Sequence, residues 1–355
     1  MSRQESPSRR IWVTRFVDSV RERTVDHPLL VGCLTLGAVP VVLTLAFFAL
    51  TAGTPPRRFV VAHLLAMVVP LVGPSAIWYW DTRVFPQFAA STADIAVDPD
   101  AVERVTADYE CVFSSRYRPF TAVWTTLIVG IIALNLPYFR TLGVAGVADP
   151  AFWVYLGFAT WWGIVTGIGF HGALTAIRTI RAVGDLELRI DPLNPDGLGG
   201  LSSVGSLAIW TTMLISLGSL TLPLAFILGT EGGYSTLVYA AVGVYLVVIV
   251  VSFVYPTVYV NRRAQEIRET ELEARRSKIR RLEAQAADLE SPGDDAATMS
   301  EVATRLEIQR LRDEFTEYDE VNLYPLSVGI LVRLVSSVLL PIFFILFETI
   351  LGRFL

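Results

Sequence analysis

The sequence predicts an all-α integral membrane protein with seven transmembrane helices. The N-terminus is expected in the cytoplasm, the C-terminus outside, and a cytoplasmic helical hairpin between spans 6 and 7. Three observations lead to this reading. Hydrophobic residues make up 53% and charged residues 18% of the 355 positions, where a soluble domain carries about 25% charge, and the mean hydropathy is +0.51. Seven apolar runs are each long enough to cross about 30 Å of hydrocarbon as helices. The basic residues gather on one side of those runs.

Residues 1–27 read as a cytoplasmic amphipathic segment. Over 9–24, Trp12, Phe16 and Val20 share a face among arginines, the pattern of a helix lying in the membrane interface. No signal-peptide layout is expected, because the first apolar run is long enough to span and no small-residue cleavage site stands out. The runs fall at 29–52, 59–80, 120–139, 152–174, 207–229, 237–260 and 326–350. Spans 1–6 with their cytoplasmic extensions thus occupy 28–260. Prolines 40, 70, 74, 137, 223 and 341 should kink several spans, with neighbouring helices satisfying the freed carbonyls. With the N-terminus inside, 24 basic residues are cytoplasmic: six in the tail, four between spans 2 and 3, three between spans 4 and 5, and eleven between spans 6 and 7. Only Arg57, Arg58, Arg140 and Arg353 are left outside, and Arg333 lies within span 7.

The cytoplasmic connections read as helical. Residues 99–116 follow an Asp98-Pro99 start, a cap with proline in the first helical position. They carry Val102, Val105, Tyr109 and Val112 on one stripe. Span 4 is expected to run on through Arg178, Arg181 and Glu187 to a proline-glycine loop over 191–205. Span 6 continues into a charged arm with Ile279, Leu282, Ala286 and Leu289 in 3-4-3 spacing. Ser291-Pro292-Gly293 turns the chain, and the return arm carries Ile308, Leu311, Phe315 and Tyr318. Residues 261–325 therefore form an antiparallel hairpin with about two heptads per arm. Residues 326–355 hold span 7.

Net charge is −5, so the basic surface expected of a nucleic-acid binder is lacking. Lys278 is the only lysine beside 28 arginines, the usage a GC-rich halophilic archaeon would produce. Cys33 falls in a span and Cys111 in a cytoplasmic segment, so no disulfide is expected.

Most motifs reduce to packing. Gly167-Ile-Gly-Phe-His-Gly172 matches GxGxxG, but inside an apolar span rather than between a strand and a helix. With Gly163 it reads instead as Gly163-xxx-Gly167, a close-approach face for another helix. His63 and His171 lie within spans, where an ionisable group is a functional candidate, though a histidine bonded to a neighbouring helix is the simpler expectation. No HExxH or cysteine-histidine pairing supports a zinc site, and no cofactor is expected. Retinal needs a lysine in the last span, and Lys278 lies in the hairpin. The loop with Asp191, Asn194 and Asp196 echoes a calcium loop, but positions 1 and 12 would be Pro192 and Ser203. It reads as a rigid turn or as a cytoplasmic ligand or ion loop.

Span 7 carries the most information. Arg333, Ser337, Pro341, Phe344 and Glu348 fall on one helical face in an otherwise Leu, Val, Ile and Phe segment. Such a stripe could line a conduction path, with Glu348 near the outer mouth favouring cations. Alternatively, Arg333 and Glu348 snorkel to opposite interfaces.

The layout resembles the seven-transmembrane ion channels that include the insect odorant and gustatory receptors. The resemblance is topological and spans nearly the whole chain. It rests on an inside N-terminus, short outer loops, long cytoplasmic helical extensions, and a final helix split into a cytoplasmic half (299–322) and a membrane half (326–350). That family's terminal signature, Thr-Tyr, five apolar residues, then Gln-Phe, is absent, so no functional residue carries over. The resemblance implies a homotetramer whose cytoplasmic helices form an anchor and whose last spans ring a cation pore. The leading functional reading is therefore an oligomeric, gated ion channel in the plasma membrane, embedded in the lipid bilayer and passing inorganic cations, with a small-molecule ligand conceivable. A non-conducting receptor or scaffold comes second and a small-molecule transporter third. An enzyme is not expected, because no acid, base, nucleophile or metal cluster converges within the spans.

Overall fold

The computed structural model describes residues 10–23, 27–189, 194, 200–233, 235–289, 295–320 and 343. The described residues are helical, without a strand, and joined at one antiparallel bridge between Ala96 and Leu188. Five helices are long and apolar enough to cross a membrane: Pro28–Leu50, Arg57–Ile95, Pro99–Leu134, Pro150–Gly184 and Ser202–Glu231. They coincide with the first five apolar runs. The sixth run appears as the apolar stretch Val238–Ser252 of a longer helix, and the seventh lies outside the described residues.

An amphipathic helix α1 (Trp12–Arg21) precedes the spans. Its docked face differs from the expected one. Ile11, Val13, Thr14 and Val17 are buried, Trp12 and Val20 are half-buried, and Phe16 is 38% exposed. The helix packs on the bundle because Trp78 Nε1 donates to Asp18 Oδ1 at 2.8 Å and Arg10 pairs with the other carboxylate oxygen at 3.0 Å. Asp18→Ala leaves a buried indole N–H unpaired, a loss of about 1–3 kcal/mol. The expected readouts are a lower melting temperature in detergent and faster tryptic cleavage within α1.

Span 1 is broken into α2 (Pro28–Leu34) and α3 (Ala38–Leu50). The break sits where Gly37 meets span 2: a Cβ there would fall 2.2 Å from the Leu71 carbonyl oxygen. Ser75 ties the same region by donating to Leu29 O at 2.6 Å, and the free thiol of Cys33 lies 3.2 Å from its hydroxyl. Span 2 is α4 (Arg57–Tyr79), which carries Pro70 and Pro74, then a π-helical turn (Trp80–Val84) and α5 (Phe85–Ile95).

The segment over 99–116 and span 3 are not separate elements. They form one 36-residue helix, α6 (Pro99–Leu134), capped by Asp98 accepting from Asp100 N. Pro119 lies within it without ending it. After Asn135 a short α7 (Leu136–Thr141) begins with Pro137 in its first turn. Helix α8 (Pro150–Gly184) is central and touches α3, α4, α6, α9 and α11. Span 5 is broken like span 1: α9 (Ser202–Leu217), a 3-10 turn (Gly218–Thr221) and α10 (Leu222–Glu231).

The glycine pair on α8 does what its spacing predicts. A Cβ on Gly163 would lie 3.0 Å from Thr125 Cα, and one on Gly167 3.2 Å from Thr121 Cα. Gly172 faces the Phe113 ring in the same way. Small residues one turn apart on each helix let the two backbones approach, the device membrane helices use for want of a hydrophobic drive between them. Trp124 Nε1 adds a bond to Thr166 Oγ1 at 3.0 Å. The opposite face of α6 carries Val123, Leu127, Ile131 and Leu134, all apolar and 43% to 72% exposed. An outward apolar stripe of this kind suits lipid.

Helix α11 (Ser235–Leu289) runs 55 residues without interruption from the apolar stretch into a charged arm. Helix α12 (Asp295–Glu320) returns along it. Ile308 and Leu311 are buried and Ile279, Leu282 and Phe315 half-buried, so the expected hairpin seam forms within one chain. Arg312 pairs with Glu283 at 2.7 Å, Lys278 with Glu307 at 3.4 Å, and the Arg276 guanidinium lies 5.0 Å above the Phe315 ring.

Among the described residues the two larger core clusters form two tiers. The tier nearer the hairpin joins α1, the π-helical turn, α5, the first half of α6, the end of α8, α9 and Val260 of α11. The far tier joins Phe47, Phe59, Phe139 and Tyr155 with the end of α6 and α10.

Candidate functional site

Between the tiers lies a cavity of about 780 Å³, within the range of small-molecule sites. Five spans wall it. Helix α4 with the π-helical turn contributes Val69, Gly73 and Trp80. Helix α6 contributes Trp124, Ile128 and Asn135. Helix α8 gives Phe158, Trp162, Thr166 and Gly169, the broken span 5 gives Gly218 and Leu222, and α11 gives Val242 and Tyr245. Among the described residues, no aspartate, glutamate, lysine, arginine or histidine is on the wall.

Local structure places these groups. Pro70 and Pro74 remove two helical N–H donors from α4, and the π-helical turn follows. Such turns often mark functional positions. This one sets Trp80 on the wall with its Nε1 donating to the Tyr109 hydroxyl at 2.9 Å. Tyr109 stacks on Phe85 with ring centroids 3.6 Å apart. The 3-10 turn of span 5 brings Gly218 beside the Tyr245 ring, and the Tyr245 hydroxyl donates to Ile215 O.

Most polar atoms on the wall are satisfied. Thr166 donates to Trp162 O at 2.8 Å and accepts from Trp124. Thr221 donates to Gly218 O at 2.7 Å. Two are not: Trp162 Nε1 and Asn135 Oδ1 are buried without a hydrogen-bond partner. The Asn135 amide nitrogen donates to Ile131 O at 2.8 Å, and Gly232 leaves room for the oxygen, since a Cβ there would fall 2.2 Å from it.

Arg333, Ser337, Pro341, Phe344 and Glu348 lie outside the described residues, as do Asp191 and Asp196. Asn194 sits near Gly200, whose φ is +94°. His63 is fully buried and held between helices: Thr44 Oγ1 lies 2.9 Å from Nε2 and the Tyr155 hydroxyl 3.4 Å from Nδ1. Phe59 and Phe158 close over it at centroid distances of 5.8 and 4.5 Å. His171 packs against Phe113 and Phe120 off the cavity wall. Among the described residues, no group of three or more His, Cys, Asp or Glu could hold a metal. The cavity escaped sequence reading because its wall carries no chemical signature and comes from five distant segments.

Fold and cavity together define an all-helical membrane protein whose cavity wall carries no ionisable side chain among the described residues. No protein-family model, curated protein or solved structure matches the chain.

Proposed function

We propose that the chain is a subunit of an oligomeric, gated ion channel of the plasma membrane. It would have seven spans, the N-terminus inside, and span 7 lining a cation pore in a homotetramer. Helix α11 is the observation that carries this reading. One unbroken helix joins a membrane segment to a charged hairpin, so the bundle and a cytoplasmic anchor are coupled without a flexible joint. The cavity supports placing the ion path between copies, since its described wall offers an ion no charged ligand inside one subunit. Arg333, Ser337, Pro341, Phe344 and Glu348 would face that path. The Asp191, Asn194 and Asp196 loop would sit at its cytoplasmic approach.

The test is the mass of the full chain in nanodiscs, followed by cation flux from liposomes for wild type and Glu348→Gln. A tetramer whose flux falls several-fold on substitution upholds the proposal. A monomer without flux overturns it.

The hairpin favours a second reading, a non-conducting receptor or scaffold. Its arms close on each other within one chain, which leaves the outer charged faces for a soluble partner. The breaks in spans 1 and 5 are features transporters also use, but the described cavity wall carries no charged group for a substrate or coupling ion.

A further inference from the structure

We infer that a pocket at the ends of spans 1 and 2, beside α1, binds the head of an anionic phospholipid. This goes beyond the conduction reading and is tested by binding alone, so the two can fail separately.

The pocket has a volume of about 480 Å³. The start of span 1 gives it His27, Leu29 and Leu30, and the end of span 2 gives Trp78, Tyr79 and Arg83. The sequence fixes its depth. Residues 59–80 hold no aspartate, glutamate, lysine or arginine, and Arg83 follows within one helical turn. Span 1 starts at Pro28, one residue after His27. Both helices therefore cross the edge of the apolar layer here, the level at which headgroups lie.

Charge sets the sign of the ligand. Arg83 and His27 are exposed and make no hydrogen bond or ion pair with another described residue. Among the described residues, no carboxylate lines the pocket. Asp18 reaches Trp78 but is already held by that indole and by Arg10. Asp26, next to His27 in the sequence, lies outside the described residues. A guanidinium offers a planar fork of N–H donors that matches phosphate oxygens. Basic pockets between transmembrane helices suit anionic headgroups for this reason.

The apolar surface favours a lipid over a free anion. Leu29 and Leu30 are 46% and 54% exposed, and Leu34, one turn beyond Leu30 on the same face, is 74% exposed. An acyl chain can leave the pocket along that face, whereas a soluble phosphate gains only the head contacts. The two walls are also set in advance. Ser75 of span 2 donates to Leu29 O at 2.6 Å, and Asp18 holds Trp78. Little ordering is then left for the ligand to bring about.

The experiment uses the purified full chain in detergent, with native mass spectrometry counting bound lipid during titration. The first phosphatidylglycerol is expected to bind roughly tenfold more tightly than phosphatidylcholine. Arg83→Gln should weaken it about tenfold, the loss of one charge-assisted contact. Arg15→Gln, which removes an exposed arginine of α1 off the pocket wall, should change it less than about twofold. Phosphatidylglycerol with a diazirine in its acyl chain should label α2. Melting curves establish that each variant is folded, and the labelling of α2 in wild type decides the matter should Arg83→Gln not fold. Equal losses in Arg83→Gln and Arg15→Gln, or labelling that spares α2, overturn the site. Equal affinity for phosphatidylcholine overturns the anionic head. Displacement by glycerol phosphate at equal concentration overturns the lipid in favour of a soluble phosphate.

Discussion

Replacing Gly163 and Gly167 together with leucine is expected to prevent the bundle from assembling. Each new Cβ would meet backbone of α6, at 3.0 Å from Thr125 Cα and 3.2 Å from Thr121 Cα. Backbone cannot rotate aside as a side chain can. Overpacking in a well-packed core costs about 1–3 kcal/mol per site when neighbours can yield, and here they must separate two long helices. The double variant should lose more than about 4 kcal/mol, most of the stability of a domain at the low end of the usual range. Size-exclusion chromatography in detergent would show aggregate in place of a single peak. Gly169→Ala is the control on the same helix. Its Cβ enters open space, and alanine is the better helix former by about 0.5–1 kcal/mol. It should melt at or slightly above the wild-type temperature. Equal damage from Gly169→Ala would show that helix α8 needs glycine for some reason other than contact with α6.

His63→Ala is expected to destabilise the far tier by about 3 kcal/mol. The imidazole is fully buried, bonded toward Thr44 and Tyr155, and enclosed by Phe48, Phe59 and Phe158. Removing it opens a void and leaves two hydroxyls short of a partner, and both effects are costly. The check is thermal or denaturant unfolding in micelles, with cation flux from liposomes measured at a temperature where the variant is folded. A structural histidine predicts a large stability loss with flux kept. Unchanged stability would mean that this side chain does not hold α3, α4 and α8 together.

Both expectations come from residues whose role was partly visible in the sequence. The Gly163-xxx-Gly167 spacing is itself a packing statement, because a four-residue period on a helix selects one face. The first five spans were legible for a similar reason: twenty or more apolar residues admit few structures other than a helix in lipid or a buried core. The breaks were harder to read. Gly37, at the break in span 1, lies too close to the Leu71 carbonyl for a side chain, and no local propensity encodes a contact between segments that far apart. Span 5 offered a hint, since Pro223 stands in the first turn of α10 where proline suits a helix start. Helix α1 was read as amphipathic, but which edge docks depends on Trp78 reaching Asp18. The cavity was out of reach altogether. Its residues are ordinary core types, and only their convergence gives them meaning.

The length of α11 has a mechanical consequence. From Ser252, where its apolar stretch ends, to Leu289 the helix extends roughly 55 Å at 1.5 Å per residue. Rotation of a stiff arm of that length by about 5° displaces its tip by roughly 5 Å, close to the rise of one helical turn. Tyr245 and Val248 of the same helix belong to the cavity wall. A sub-ångström adjustment of packing there would thus arrive at the tip of the hairpin as a sideways displacement of several ångströms, a leverage that no chain of loops could deliver.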